Sequence, residues 1–369
     1  MCESRNLLAH VVLQCDPCVA NKMVLGKQLT LTWHVDDVKA SHVITKVIDD
    51  LVEWCQKKYG GHTKVTPSRG KKHDYIAIGL DYSTPGVVKI DMTKYVKGMV
   101  DDFKYPEELG NSVPKTPAAG HLFEVRDDAE KLSAEKAEEF HHVVAKGLFV
   151  CKRSRDDIQP TIAFLTTRVK EPDQDDWNKL LRLMRYLKAT QDVVKTLEIS
   201  NMGVVQWWAD AAFAVHKDMK SHTGGVMTLG KGAVQSISQK QKLNTKSSTE
   251  AELVGADDVM IHLMWMKNFL DAQGYGVKQT ILYQDNTSAM LLEKNGKESS
   301  GKRTRHINIR YFYIKDRIEK GDIEIKYCPT DEMVADYMSK PLQGKPFRKF
   351  FRFIMNIKQG EPYYNVITK

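Results

Sequence analysis

Apolar runs with the short period of strands recur through the second half of the chain. Val204, Val205, Trp207 and Trp208 form one run. Residues 226–229 and 234–237 form two more, joined by the hairpin signal Gly230-Lys231-Gly232. Residues 280–284 make a fourth, and Ile323, Ile325 and Tyr327 alternate with polar neighbours to make a fifth. Ser247-Ser248-Thr249 opens a long helix, and a further helix is expected from a Thr330 cap after Pro329. In the first third, residues 29–33 alternate as a strand, and Val47, Leu51 and Trp54 share one face of a helix. The stretches HDYIAIGLDYS and GVVKIDMTKYV read as two strands joined at Pro85-Gly86, with a helix running into Phe103. Residues 102–132 are rich in Pro, Gly and acids, which predicts a linker draped over the surface. A helix follows from Ser133 through Phe140 and Val144 to Val150. Trp177, Leu180, Leu181, Met184 and Leu187 then make one apolar helical face, with Lys179, Arg182 and Lys188 off it. Strands and helices intermixed in this way place the chain in the α/β class.

The pattern also carries acids at telling positions. Asp210 falls at the far end of the first strand, Glu252 in the first turn of the long helix, and Asp285 directly after the fourth strand. Asp336 falls in the second turn of the last helix. Each has a plainer reading. Thr249 and Glu252 have capping-box spacing, and Asp285-Asn286 suits a helix cap. Asp336 alone would be a solvated helix acid, and Asp210 alone a turn residue at a strand end. Together, four carboxylates can meet only if their strands lie side by side, and the repulsion then calls for a divalent cation. Oxygen-only ligands favour magnesium or manganese over zinc. Two such ions, about 3.5–4 Å apart, activate water and stabilise the leaving oxygen in phosphodiester hydrolysis.

The motifs ADAAFAVHKDMKSHTGG, SSTEAELV, YQDNTSAMLLEKNG, KRTRHINIRYFYIKD and YCPTDEMVADYMSKPLQG, in this order, resemble the RNase H domain of a copia-type LTR retrotransposon Pol polyprotein. The resemblance implies that Asp210, Glu252, Asp285 and Asp336 are catalytic metal ligands for two Mg2+ (or Mn2+) ions. The segment DPCVANKMVLGKQLTLTWHVDDVKASH resembles the catalytic hairpin of the same family's reverse transcriptase, with His34 where a tyrosine is usual. It implies a metal and catalytic role for Asp36 and Asp37. The family's first polymerase Asp and its fingers lie upstream of this hairpin and find no counterpart here, so the polymerase site is expected to be incomplete unless a separate N-terminal segment supplies it. Residues 153–190 resemble the family's thumb-like stretch.

The organisation implied is an RNase H-like mixed sheet flanked by helices, preceded by a partial reverse-transcriptase palm and a helical thumb-like connector. Its boundaries are expected at 1–115 for the palm, 116–200 for the connector, 201–345 for the nuclease and 346–369 for a C-terminal tail. The activity implied is cleavage of RNA in RNA–DNA hybrids; the alternative is an inactive remnant that at most binds nucleic acid. Partners would be an RNA–DNA hybrid or a primer–template duplex.

Composition adds modestly to this. The 369 residues carry a net charge of +8, which suits a phosphate-bearing partner. Lys302, Arg303, Arg305 and Arg310 concentrate that charge before the last strand and are the expected nucleic-acid contacts. His306 lies among them without an evident chemical role. Six cysteines without a framework predict reduced thiols and an intracellular setting, in a cytoplasmic particle or the nucleus and not secreted. No apolar run reaches the roughly 20 residues of a membrane span.

Overall fold

The computed structural model describes residues 11–13, 15–61, 64–295, 305–358 and 360; of residues 11–12 and 305–311 it describes the backbone alone. Among the described residues the strands form three sheets.

The first sheet is an antiparallel meander of β1 (Val11–Leu13), β2 (Asp16–Val24), β3 (Lys27–His34) and β4 (Asp37–Ser41). Helix α1 (Thr45–Tyr59) covers it by packing Val47 and Leu51 on Leu29 and Leu31. The β3–β4 turn holds Val35 and Asp36, with His34 paired to Asp37. Both acids are exposed there.

The second sheet begins with β5 (Lys72–Tyr75), β6 (Ile78–Asp81) and β7 (Val87–Asp91). The stretch HDYIAIGLDYS is therefore a hairpin and not one strand. Its turn is Ile76-Ala77, both at positive φ (53° and 57°). Such two-residue turns usually carry Asn or Gly, so no residue type announces this one. Helix α2 (Thr93–Asp101) follows.

Residues 102–132 do not drape over the surface. Phe103, Leu109, Leu122 and Phe123 are buried among the connector helices. Four large apolar side chains, each worth about 1.5–3 kcal/mol on burial, hold down a segment whose polar composition reads as loop. Those helices are α3 (Ala134–Cys151), capped by the Ser133 hydroxyl, α4 (Gln159–Thr166) and α5 (Gln174–Ala189). The α5 stripe is buried as its spacing predicts. Its basic flank is not free. Lys179 Nζ donates to the Glu124 carbonyl and Arg182 to Thr116 Oγ1 at 2.9 Å, so the 112–126 segment lies against that flank.

Strand β8 (Lys195–Ile199) closes on β7, and the third sheet begins with β9 (Val204–Ala212) and β10 (His222–Thr228). The Gly230-Lys231 turn is itself a strand, β11 (Gly230–Lys231), which leaves the third sheet to pair with Ile199 and Glu198 of the second. The third sheet resumes with β12 (Gln235–Lys240). After α6 (Ser248–Ala272) come β13 (Gln279–Gln284), α7 (Thr287–Asn295), α8 (Arg305–Glu319) and β14 (Glu324–Tyr327). Its order is β12-β10-β9-β13-β14, antiparallel through the first three strands and parallel from β9 to β13 to β14. This 3-2-1-4-5 mixed sheet flanked by helices is the RNase H-like arrangement.

After β14 the chain does not form one helix from Thr330. It makes a single 3-10 turn at Thr330–Glu332 and a one-turn helix α9 (Asp336–Ser339), so Asp336 opens a helix and does not sit in a second turn. Helix α10 (Gly344–Met355) then packs Phe347, Phe350, Phe351 and Ile354 inward. Gly224 and Gly225, adjacent on β10, allow close packing on both faces. A Cβ on Gly224 would meet Ser339 N at 2.5 Å and Ala335 O at 2.6 Å, whereas one on Gly225 would meet Val259 of α6 at 2.8 Å. The sheet is thus pressed between α6 on one face and α9, backed by the connector helices, on the other.

Candidate metal centre

Two parallel neighbours set the site. Trp208 of β9 pairs with Tyr283 of β13, and their rings stack at 4.9 Å. Two residues further along the same register, Asp210 and Asp285 stand side by side. The third acid arrives from α6. There Ser247 Oγ accepts from Glu250 N, while Glu250 Oε2 accepts from Lys246 N at 2.8 Å. Glu250 therefore serves the cap, leaving Glu252 two residues further on, buried. Gly255 lets α6 approach β9, a Cβ there lying 3.4 Å from that of Ala211. Similarly, Asn286 Oδ1 accepts from Ala289 N at 3.0 Å and caps α7, which leaves Asp285 unused for capping. Oxygens of Asp210, Glu252 and Asp285 all lie within 4.8 Å of one another.

Asp336 stands just outside this group, linked to it by a cation of the chain. Lys340 Nζ lies 2.7 Å from Asp336 Oδ1 and 3.2 Å from Asp210 Oδ2. The Ser339 hydroxyl donates to Asp210 Oδ2, and Thr330 Oγ1 donates to Asp285 Oδ2 at 3.0 Å. Thr330 orients an acid of the site where a helix cap was expected. Ser339 and Lys340 are not singled out by the sequence, and Thr330 only as a cap. The i,i+4 spacing of Asp336 and Lys340 was the available signal for one of them.

Burial and mutual repulsion shift the acidities of these groups. Burial first, then the neighbouring charges of Asp210 and Asp285, push Glu252 well above the usual carboxylate range. Burial, followed by the charge of Asp210, pushes Asp336 up to about 7. Burial disfavours the Lys340 ammonium, yet Asp210 and Asp336 outweigh it and raise the pKa above the ordinary lysine value. Three converging carboxylates with no nitrogen or sulfur donor among them fit a hard divalent cation.

Asp36 and Asp37 join no group of three or more ligating side chains among the described residues. Lys302 and Arg303 lie outside the described residues; Arg305 and Arg310 lie on the α8 backbone, with side chains outside those described. His306 is placed likewise.

No protein-family model matches the chain. It is 26% identical over 264 residues to the retrovirus-related Pol polyprotein from transposon TNT 1-94 of Nicotiana tabacum, covering 70% of this chain and 19% of that protein. It is 30% identical over 207 residues to the Pol polyprotein from transposon RE2 of Arabidopsis thaliana, covering 56% and 14%. Against the Ty1-BR Gag-Pol polyprotein of Saccharomyces cerevisiae it is 20% identical over 292 residues, covering 75% and 16%. The chain thus spans less than a fifth of each of these relatives, and they are the copia-type Pol polyproteins that its motifs resemble. Among solved structures, the foamy viral protease-reverse transcriptase in complex with RNA/DNA hybrid aligns over 85% of this chain and 37% of that one, at TM-score 0.48 and 12% identity. The RNase H1 of Halobacterium salinarum NRC-1 aligns over 37% and 95%, at TM-score 0.24 and 16% identity.

Proposed function

Starting from the likeness to transposon Pol polyproteins, we propose that this chain is a reverse transcriptase/RNase H segment that cleaves the RNA strand of RNA–DNA hybrids. The observation that carries the reading is the convergence of Asp210, Glu252 and Asp285 within 4.8 Å, with Asp336 beside Asp210. Asp210, Glu252 and Asp285 would hold one Mg2+ or Mn2+, and Asp210 with Asp336 a second. Bound there, such ions lower the pKa of a water and stabilise the leaving oxygen of an in-line displacement. The chain's own groups prepare the acids. Ser339 and Thr330 each fix one carboxylate oxygen by donating to it. Glu252, buried and repelled by its neighbours, is held above the usual carboxylate range, so positive charge beside it favours its ionised form. The reaction adds water across one P–O bond of the RNA backbone, and discrimination against DNA rests on the 2′-hydroxyl and duplex shape.

Asp36 and Asp37 would supply the acids of one of the two places on which two-ion nucleotide addition draws. We place the protein inside the cell, where an RNA–DNA hybrid is made; no described helix is long and apolar enough to cross a membrane. The test is digestion of a labelled RNA–DNA hybrid with Mg2+, comparing this chain with Asp285→Asn. Cleavage by the native chain alone supports the reading. Equal cleavage by both would place the activity elsewhere, and no cleavage by either would favour an inactive remnant.

A further inference from the structure

The four acids do not meet symmetrically. Asp210, Glu252 and Asp285 share one position, and among the described residues Glu252 and Asp285 form no ion pair. The Asp210–Asp336 side is different. Its two carboxylates already hold a cation, the Lys340 ammonium, at 3.2 and 2.7 Å. Asp210 Oδ2 also accepts the Ser339 hydroxyl, so the oxygen that meets Lys340 is held by two of the chain's own donors. Asp336 and Lys340 flank the single turn of α9, and the Lys340 side chain is 38% exposed, which leaves its stem a route to solvent.

We propose that Lys340 is a resident counter-cation which a second divalent ion must displace from between Asp210 and Asp336, so that the centre loads in two steps of unequal affinity. This rests on the metal-binding reading above. The first ion enters the three-acid position, where Lys340 pairs with Asp210 alone and leaves Glu252 and Asp285 to receive the ion. The second must break two ion pairs before it can be held. Lys340 thereby sets the cation concentration at which the fourth acid is recruited, and it keeps Asp210 and Asp336 together when that concentration is low. The role is one of positioning.

The experiment is a Mn2+ titration of the full chain without nucleic acid, with free Mn2+ read by electron paramagnetic resonance. The native chain should take up one ion and then a second about tenfold or more weakly, and Lys340→Gln should close that gap by tightening the second step alone. Lys340→Arg, which keeps the charge, should behave as native. In the native chain, acylation of Lys340 followed by mass spectrometry should rise at the second step, a readout that needs no variant. Equal affinities in the native chain, an unchanged second step in Lys340→Gln, or constant Lys340 reactivity would each overturn the proposal. Absence of any Mn2+ uptake, or uptake indifferent to Asp285→Asn, would remove the metal reading itself and this inference with it.

Discussion

The Tyr337 phenol donates to the main-chain carbonyl of Asp157 across 3.2 Å, tying the neighbour of Asp336 to a buried ionic network in the connector. In that network Arg155 grips both oxygens of Asp157 at 2.8 Å, and the Tyr186 hydroxyl donates to the same carboxylate at 2.8 Å. The one-turn helix α9 is too short to hold itself; it owes its place to what it leans on.

Removing the acid at the centre of that network should therefore damage both halves of the chain. Asp157→Ala leaves Arg155 buried and unpaired, an error that typically costs about 3–5 kcal/mol. Urea denaturation followed by circular dichroism should show a loss of that order. Tyr337→Phe is the gentler probe. It should cost about 1 kcal/mol while lowering kcat for hybrid cleavage more than it raises KM, because Asp336 loses its anchor.

Asp285→Asn should separate activity from stability. Losing a ligand that contributes several kcal/mol of transition-state stabilisation predicts a fall in cleavage of about a thousandfold. In metal-free buffer the same change removes one charge that repels Glu252. The variant's Tm there should equal or exceed the native value. A Tm well below native would indicate that Asp285 serves the fold.

Gly224→Ala tests the approach of α9 to the sheet. The added methyl would lie 2.5 Å from Ser339 N and 2.6 Å from Ala335 O, both main-chain atoms that cannot swing aside. Overpacking of this kind costs about 1–3 kcal/mol. Since Asp336, Ser339 and Lys340 all ride on that segment, cleavage should fall well beyond what the stability loss explains. Gly224→Ala with native kcat would sink this account.

Acid sensitivity should trace to a histidine pair behind the sheet. His216 Nε2 and His222 Nδ1 lie 3.0 Å apart, and His222 Nε2 meets Ser238 Oγ at 2.8 Å. Burial, reinforced by nearby positive charge, lowers His216 to about 4; burial, with His216 as the minor cause, lowers His222 to about 3. Both folded values lie below the ordinary value of 6.5. The unfolded chain therefore binds more protons in between. The stability owed to neutral rings is complete above pH ~6.5 and is lost as pH falls toward the folded values. The slope for His222 is about 1.4 kcal/mol per pH unit. Denaturation at pH 7.5 and pH 5 should show a smaller difference for His222→Gln than for the native chain.

Much of this was legible where periodicity and caps carry the signal. The strands bearing Asp210 and Asp285 announce themselves by apolar runs, and Ser247 marks the start of α6. The resemblance then selected four acids, three of which the fold brings to one point. What escaped the sequence depended on partners distant in the chain. Thr249 and Glu252 have the spacing of a capping box, yet Ser247 and Glu250 have it too, and only packing against β9 decides between them. Leu122 and Phe123 sit in a polar stretch and become core because helices from elsewhere cover them. Ile76-Ala77 turns the chain without the residues that usually permit it. Lys340 looks like one more surface lysine until Asp210, 130 positions earlier, is beside it.

The detour by Gly230–Lys231 bears on how such a chain can be divided. These two residues leave their own hairpin to complete the edge of the meander that ends at β8, beside Ile199 and Glu198. A gene trimmed to start at Val204 would retain every acid of the centre. It would nonetheless strip this clip of its mate and bare backbone donors and acceptors on both pieces, the kind of raw edge that recruits other chains. Residues 195–199 hold β7 on one side and β11 on the other, so no single cut at this strand leaves both pieces with their edges paired.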